Sequence, residues 1–256
     1  MASPLPCAFC QRSAVKMSRE HVLPHWLSFA GSDAGEYILE RGPKIIRTPL
    51  VELVTKRICE DCNTGWMSRI EVGAKAVLEP ILDASATTIT EIERWIVARW
   101  FTKTIMTAQL AMTARSEQGI LHPQDYETFF SHAQPFNNQF TLMWGYQGTL
   151  LPIRFEIHSP DEASNQGVRA LFHFHRLILV AYFMSMEKPT NIVIPHGFAD
   201  GCHVLWPSQR GLLGSGDPTL PVGWPPPYLV DAVGMDAIRA AITAPDRSES
   251  APPPSS

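Results

Sequence analysis

The spacing of apolar residues predicts helices through the middle of the first half of the chain. Apolar residues recur at helical spacing after the second cysteine pair, which predicts a helix from just past Cys62 to about Leu82. The capping box Thr90-Glu91-Ile92-Glu93 then opens a long helix that extends to about Ala114. Because apolar residues cover more than one face of this second helix, we expect it to be central and buried. A shorter helix is predicted at 122–130.

The period of the apolar residues changes to two in the second half, which predicts strands. These strands are expected at 139–146, 153–158, 168–175, 177–184, 191–194 and 203–206. Together with the long helix they indicate an antiparallel sheet packed on that helix. A looser alternation at 49–58 predicts a further strand, and 230–243 is predicted to form a last helix.

Turn residues, rather than a long apolar repeat, mark the remaining segments. Pro24 cannot stand in a helix interior, so we expect His21 at a strand end or in a loop, with a short helix beginning near Pro24. Glycine and proline predict a mobile excursion at 31–44 and an extended arm at 207–228. The proline- and serine-rich end, 245–256, is expected to be disordered.

Two close pairs of cysteines, Cys7-x-x-Cys10 and Cys59-x-x-Cys62, stand far apart in the sequence. This spacing is typical of a structural zinc site with four cysteine ligands. Two disulfides or four unligated thiols are the alternatives. Each cysteine pair is expected to form a tight turn, or knuckle. A first knuckle followed by a hairpin and a second knuckle that leads into a helix make up the treble-clef arrangement. Cys202 stands alone and is expected to be a buried, inert thiol.

Composition and charge limit the range of functions. A chain of 256 residues with 45% apolar content can bury a substantial core. A net charge of −4 argues against a protein that coats nucleic acid non-specifically, although it leaves a local basic patch open. No secretory signal is visible, and the most apolar run, 177–184, is too short to span a membrane. Because unpaired thiols suit a reducing compartment, we expect a cytoplasmic protein without membrane contact.

The first third of the chain resembles the HNH endonuclease family, the treble-clef group of His-metal finger nucleases. The residues that carry the resemblance are Cys7-x-x-Cys10, Glu20-His21-x-x-Pro24 and Cys59-x-x-Cys62-Asn63. It extends from residue 7 to about residue 82. The wider strings at 18–24 and 62–67, with Glu71, resemble an uncharacterised bacterial and phage branch of that family.

The resemblance implies a mechanism for cleaving a phosphodiester, which needs a deprotonated water and a cation near the leaving oxygen. It implies that His21 is the general base, and that Glu20 and Asn63 help to hold a catalytic divalent cation such as Mg2+ beside the structural Zn2+. It also implies nucleic acid, double-stranded DNA above all, as the partner. Basic residues near the motifs that could contact its phosphates are Arg19, Lys56, Arg57 and Arg69.

Each of these residues also has a structural interpretation. His21 could be a hydrogen-bonded structural histidine, and Glu20 could be a surface acid paired with a nearby arginine. Asn63 could cap the helix that begins there, with or without binding a metal. His25 could be an additional ligand or an ordinary surface residue, and the basic residues could form a solvated face.

The chain departs from the family pattern at one position. The family carries a middle asparagine before the second knuckle, where it orients the general base, and 52–58 contains none. Either Thr55 or a backbone carbonyl orients His21 in its place, or the centre is weakened or inactive.

These observations predict an α+β chain of three parts: an HNH-like treble-clef zinc domain at 1–85, an accessory domain of a long helix and an antiparallel sheet at 86–244, and the tail at 245–256. The predicted function is that of a metal-dependent endonuclease, acting on DNA, with His21 as its general base. The alternative is a catalytically inactive, zinc-stabilised module that binds nucleic acid or protein.

Overall fold

The computed structural model defines the chain in segments. It describes residues 5–27, 36–41, 44–49, 53–83, 85, 87–113, 121–132, 134–136, 139–147, 154–158, 169–183, 202–206, 221–226 and 229–243. The strand predicted at 191–194 and the tail predicted at 245–256 lie outside these residues.

The N-terminal region begins with short elements. Strand β1 (Glu20–His21) is followed by a 3-10 helix (His25–Leu27), which confirms that His21 ends a strand before a short helix. The mobile excursion predicted at 31–44 is wrong in part, because strands β2 (Glu36–Arg41) and β3 (Lys44–Pro49) pair as an antiparallel hairpin. Isoleucine, tyrosine and threonine in this stretch favour the extended conformation.

Strand β4 (Val54–Thr55) pairs antiparallel with β1. It is much shorter than the strand predicted at 49–58. The chain beyond it makes a single bridge, Met17 with Cys59, and so returns to the first cysteine pair. The two cysteine pairs therefore lie at one end of the β1–β4 ladder.

The helix after the second cysteine pair begins earlier than predicted. It runs through α1 (Glu60–Cys62), a π-helical turn (Asn63–Met67) and α2 (Ser68–Leu82), with a kink at Gly65. Cys59 is the N-cap of α1, and its carbonyl accepts a hydrogen bond from the Asn63 N–H at 3.0 Å. The knuckle itself is helical, and Asn63 consequently lies inside the helical run and does not cap it.

The long helix α3 (Glu91–Thr113) is the central element, as predicted. Its capping box forms: the Thr90 N–H donates to the Glu93 carboxylate at 2.7 Å, and the Glu93 N–H donates to Thr90 Oγ1 at 3.3 Å. Every residue from 100 to 110 is buried. Helix α4 (Pro123–His132) follows and extends slightly beyond its predicted end.

Antiparallel strands fill the second half, as predicted. Strand β5 (Thr87–Ile89) precedes α3. The strands of the second half are β6 (Gln139–Tyr146), β7 (Arg154–His158), β8 (Arg169–Phe174), β9 (Leu177–Phe183), β10 (His203–Trp206), β11 (Val222–Trp224) and β12 (Leu229–Val230). The main sheet has the order β10-β6-β9-β8-β7, with antiparallel neighbours throughout this path. The chain is therefore α+β.

Two features of the C-terminal part differ from the prediction. The extended arm predicted at 207–228 contains β11, which pairs antiparallel with β5. Strand β12 pairs parallel with β6, so the last helix, α5 (Ala232–Thr243), begins two residues later than predicted. Asp231 accepts a hydrogen bond from the Gly234 N–H at 2.8 Å and so caps α5.

Hydrophobic cores cover both faces of the main sheet. The larger core contains the cysteine pairs, α2, α3 and one face of the sheet, and the smaller core lies beneath α5. Neighbouring residues of β6 divide between them: Met143 belongs to the larger core, whereas Leu142 and Trp144 belong to the smaller one. The larger core crosses residue 85, where a domain boundary was predicted; that division of the chain stays a prediction.

His173 is a buried histidine in β8. Its Nε2 lies 3.2 Å from the carbonyl oxygen of His175, while its Nδ1 has no hydrogen-bond partner within the described part of the chain. Burial lowers the pKa of His173 to about 4, although the hydrogen bond with the His175 carbonyl opposes this effect. The nearby charges of Arg239 and His175 lower the pKa further, and Glu156 raises it. The folded protein therefore holds this imidazole neutral in mildly acidic solution.

We expect the His173→Gln variant to resist acid better than the natural chain. The unfolded state binds a proton at this histidine near pH 6.5, whereas the folded state does so only near pH 4, so stability is lost as pH falls through that window. The loss is about 3 kcal/mol at most. Urea unfolding at several pH values measures it, with the exposed His122→Gln as the control. A stability difference that does not change between pH 6.5 and 4 would contradict the prediction.

Candidate functional site

The four paired cysteines converge on one point. The Cys7 and Cys62 sulfurs are 3.9 Å apart, the Cys10 and Cys59 sulfurs are 3.7 Å apart, and all four lie within 4.8 Å of one another. A tetrahedral zinc ion with Zn–S bonds of about 2.3 Å requires sulfurs about 3.8 Å apart. Disulfide sulfurs are about 2.05 Å apart, so the disulfide alternative is wrong. The four thiols form a possible metal site that is consistent with structural zinc.

Backbone geometry positions these sulfurs. A tight turn joins Cys7 to Gln11, whose N–H donates to the Cys7 carbonyl at 2.9 Å and whose φ of 55° ends the turn. The Cys59 N–H donates to Cys7 Sγ at 3.3 Å, as is common for thiolate ligands. The contact between the Cys7 and Cys62 sulfurs lowers the pKa of Cys7 to about 4 and raises the pKa of Cys62, because one thiolate is stabilised by the neighbouring thiol.

An arginine stands beside the cysteine cluster. Arg12 donates to Cys10 Sγ at 3.4 Å and to Cys59 Sγ at 3.8 Å, and it also contacts the Asp61 carboxylate at 2.7 Å. Four thiolates around a divalent ion leave a net negative charge, which a guanidinium partly offsets. This role could not be predicted from the sequence, because Arg12 is one of several basic residues in the region.

The acid and the histidine of the family motif lie on opposite faces of β1. Glu20 is buried and opposite Thr55, whereas His21 is half-buried and opposite Val54. The Thr55 hydroxyl accepts a hydrogen bond from the Arg57 N–H at 3.2 Å. Thr55 therefore stands on the side of the acid, and not on the side of the imidazole that it was considered to orient.

Glu20 meets a lysine from the long helix. Lys103 Nζ lies 3.1 Å from a carboxylate oxygen of Glu20 and 2.5 Å from one of Glu71 on α2. Asn63 adds a side-chain hydrogen bond to Glu20. Glu20 is consequently not the surface acid paired with an arginine that the sequence allowed. Glu20 and Lys103 are buried, and Asn63 and Glu71 beside them are half-buried. We call these four residues the acid–lysine cluster.

Electrostatics keep Lys103 charged inside the protein. Burial by itself would lower the pKa of Lys103, but the charges of Glu71 and Glu20 outweigh it and raise that pKa. Burial raises the pKa of Glu20, and the charge of Lys103 opposes this without cancelling it. An ammonium with no exposed surface thus stands between two carboxylates.

On the other face of β1, His21 lies against a second imidazole. The ring centroids of His21 and His25 are 4.5 Å apart at an interplanar angle of 61°. Burial lowers the pKa of His21, and the charges of His25 and Arg19 lower it further while Glu71 opposes them. The neutral imidazole, which can accept a proton, is therefore the favoured form.

The four basic residues predicted to contact phosphates do not share one environment. Arg19, Lys56 and Arg69 are exposed, and Arg57 is half-buried. Of these, Arg19 acts electrostatically on His21. The carbonyl of Arg57 accepts a hydrogen bond from the first cysteine turn, and its guanidinium acts on a tyrosine of α4.

Lys103 is the residue of the site that sequence reasoning missed. The signal was present, since Lys103 is a single charge within a run of helix that is otherwise apolar or uncharged from residue 100 to 110. A lysine there must have a charged partner once it is buried. Glu71 was noted as part of the resemblance but was given no role.

Comparison of the chain with models of protein families, with curated proteins and with solved structures finds no match. Within the described residues, the four cysteines are the one group of three or more cysteine, histidine or acidic ligands close enough to share a metal. Over the same residues, every helix is too short or too polar to pass through a bilayer.

We expect the Cys62→Ser variant to lose its metal and much of its stability. Metal binding at a four-thiolate site contributes directly to the free energy of folding, and removing one ligand weakens it. Zinc content by atomic emission and the melting temperature measure the two effects. Cys202→Ser, which changes a buried cysteine outside the cluster, should keep about one zinc per chain. Equal zinc content in both variants would contradict the assignment.

We expect Lys103→Met to destabilise the fold by about 3–5 kcal/mol, because it leaves two carboxylates near each other without a cation. The triple variant Glu20→Gln, Glu71→Gln, Lys103→Met removes those charges and should recover part of the loss. Urea unfolding at neutral pH measures both. The matched control is Lys75→Met, which breaks a half-exposed pair with Glu79 (3.3 Å) and should cost about 0.5 kcal/mol or less. Similar losses for the two single variants would refute a special role for Lys103.

Proposed function

We propose that this chain is a phosphodiester hydrolase of the HNH endonuclease type that acts on double-stranded DNA. The observation that carries the proposal is the approach of Glu20 and Asn63, two of the three family-motif residues, next to the second cysteine pair. Asn63 hydrogen-bonds Glu20 although the two are far apart in sequence, and His21 is the next residue of the same strand. The β1–β4 ladder and the helix that begins at the second cysteine pair support a zinc-bound treble clef as the scaffold.

In this proposal His21 is the general base. Its imidazole is half-buried and favours the neutral form, so it can take a proton from a water molecule. The oxygen of that water attacks phosphorus, and the bond from phosphorus to the leaving oxygen breaks. Arg19 is exposed and acts on the same imidazole, so it is placed to contact a phosphate of the substrate.

The predicted Mg2+ site does not fit the donors as they stand. The Glu20 carboxylate already accepts hydrogen bonds from Lys103 and Asn63, and Glu71 accepts one from Lys103. An ion at this point would have to replace a buried ammonium. We therefore assign no step of the reaction to a divalent ion.

The second candidate is a zinc-stabilised module that binds nucleic acid or protein without cleaving it. The ion pairs of Lys103 with Glu20 and Glu71 favour this alternative, because these carboxylates are then not free to hold a catalytic ion. The lack of an asparagine in 52–58 favours it as well. The exposed Arg19, Lys56 and Arg69 would serve binding in either case. A cytoplasmic location, where thiols stay reduced, suits both candidates.

Plasmid cleavage by the purified, zinc-loaded protein tests the proposal. We expect nicking or linearisation, and we expect His21→Ala to slow it by about 10²–10⁴-fold because the general base is lost. The matched control is His122→Ala, at an exposed histidine beside α4, which should cleave at the natural rate. Reactions without added ions and with Mg2+, Mn2+ or Ni2+ cover every ion requirement.

Two results would overturn the proposal. If His21→Ala cleaves as fast as the natural chain, His21 is not the base. If the natural chain cleaves nothing under any of these conditions but retards duplex DNA in a gel, the binding module is the better description.

A further inference from the structure

Lys103 has the environment of a bound cation. Its side chain has no exposed surface, and its ammonium contacts a carboxylate oxygen of Glu20 at 3.1 Å and one of Glu71 at 2.5 Å. The amide of Asn63 completes the set by bonding to Glu20. Two carboxylates and an amide are the ligand types that Mg2+, Ca2+ and Mn2+ prefer. A lysine thus occupies the position where such an ion would lie.

We propose that the ammonium of Lys103 is the fixed cation of this site and that it excludes divalent ions from Glu20 and Glu71. The consequence for hydrolysis, that cleavage proceeds without added divalent ions, rests on the function proposed above. The exclusion of ions does not rest on it, because it concerns binding alone.

The surroundings of Lys103 make its displacement costly. Thr102 and Thr104, its neighbours on α3, are fully buried, and the Lys103 carbonyl accepts a hydrogen bond from Thr107 at 2.8 Å. The backbone therefore cannot move away without breaking the central helix. A divalent ion could enter only if the ammonium moved to another buried position, where it would lack a carboxylate.

The charge of the acid–lysine cluster gives the proposal a second consequence. With Lys103 present, one positive charge already offsets the two carboxylates. With a neutral residue in its place, the two carboxylates and the amide would remain close together without a cation. Such a set binds a divalent ion, so Lys103→Met should create a metal site that the natural chain lacks.

Counting bound Mn2+ by electron paramagnetic resonance tests this inference on zinc-loaded protein in metal-free buffer. We expect no Mn2+ bound by the natural chain at this site, so that Glu20→Gln changes nothing. We expect Lys103→Met to bind about one Mn2+ per chain, and Lys103→Met with Glu20→Gln to bind none. Mn2+ should also raise the melting temperature of Lys103→Met alone. Lys75→Met, which releases Glu79 on the surface, is the control and should gain no site.

If Lys103→Met does not fold, the proposal is still tested by comparing the Mn2+ bound by the natural chain with the Mn2+ bound by Glu20→Gln. A Mn2+ ion that binds the natural chain and is lost in Glu20→Gln would overturn the proposal, since the ion would then share the acids with the lysine. Folded Lys103→Met that binds no Mn2+ would overturn it as well. Neither result depends on cleavage, so failure of this proposal is distinguishable from failure of the proposed function.

Discussion

The convergence of four sulfurs within 4.8 Å is the constraint on which the N-terminal region depends. These sulfurs come from two short turns that are separated by about fifty residues of chain, and that chain includes both strands of the β1–β4 ladder. Joining the turns fixes the two ends of the ladder and the start of the helix at Cys59. Glu20 on the ladder and Asn63 on the helix then come within hydrogen-bonding distance. The four-cysteine cluster therefore positions the candidate site, although the cysteines take no part in the chemistry proposed for that site.

The second constraint is the buried charge of Lys103. Because an isolated ammonium is very costly to bury, the packing of α3 on the N-terminal region has to bring this lysine to carboxylates, and it brings it to Glu20 and Glu71. Hydrophobic contacts are not directional, whereas this ion pair is. The charge therefore specifies how the long helix sits on the cysteine-bearing part, and the larger core is continuous across the two.

Local signals in the sequence predicted most of the elements. The capping box at Thr90 and Glu93 fixed the start of α3, because a cap is a contact between residues three apart. The cysteine spacing likewise predicted a cluster, since ligand geometry constrains both turns. The start of the earlier helix was missed, because a knuckle that is already helical leaves no separate cap at Asn63. The partners of Lys103 were missed because they depend on how distant elements dock, which periodicity does not encode.

The distance in sequence between Lys103 and Glu20, 83 residues, has a consequence for synthesis. A ribosome adds about 5–20 residues per second, so the acid is made on the order of ten seconds before its cation. The cysteine turns can close in that interval, but Glu20 and Glu71 must wait for the long helix. The N-terminal region therefore reaches its final packing only after this part of α3 has been made.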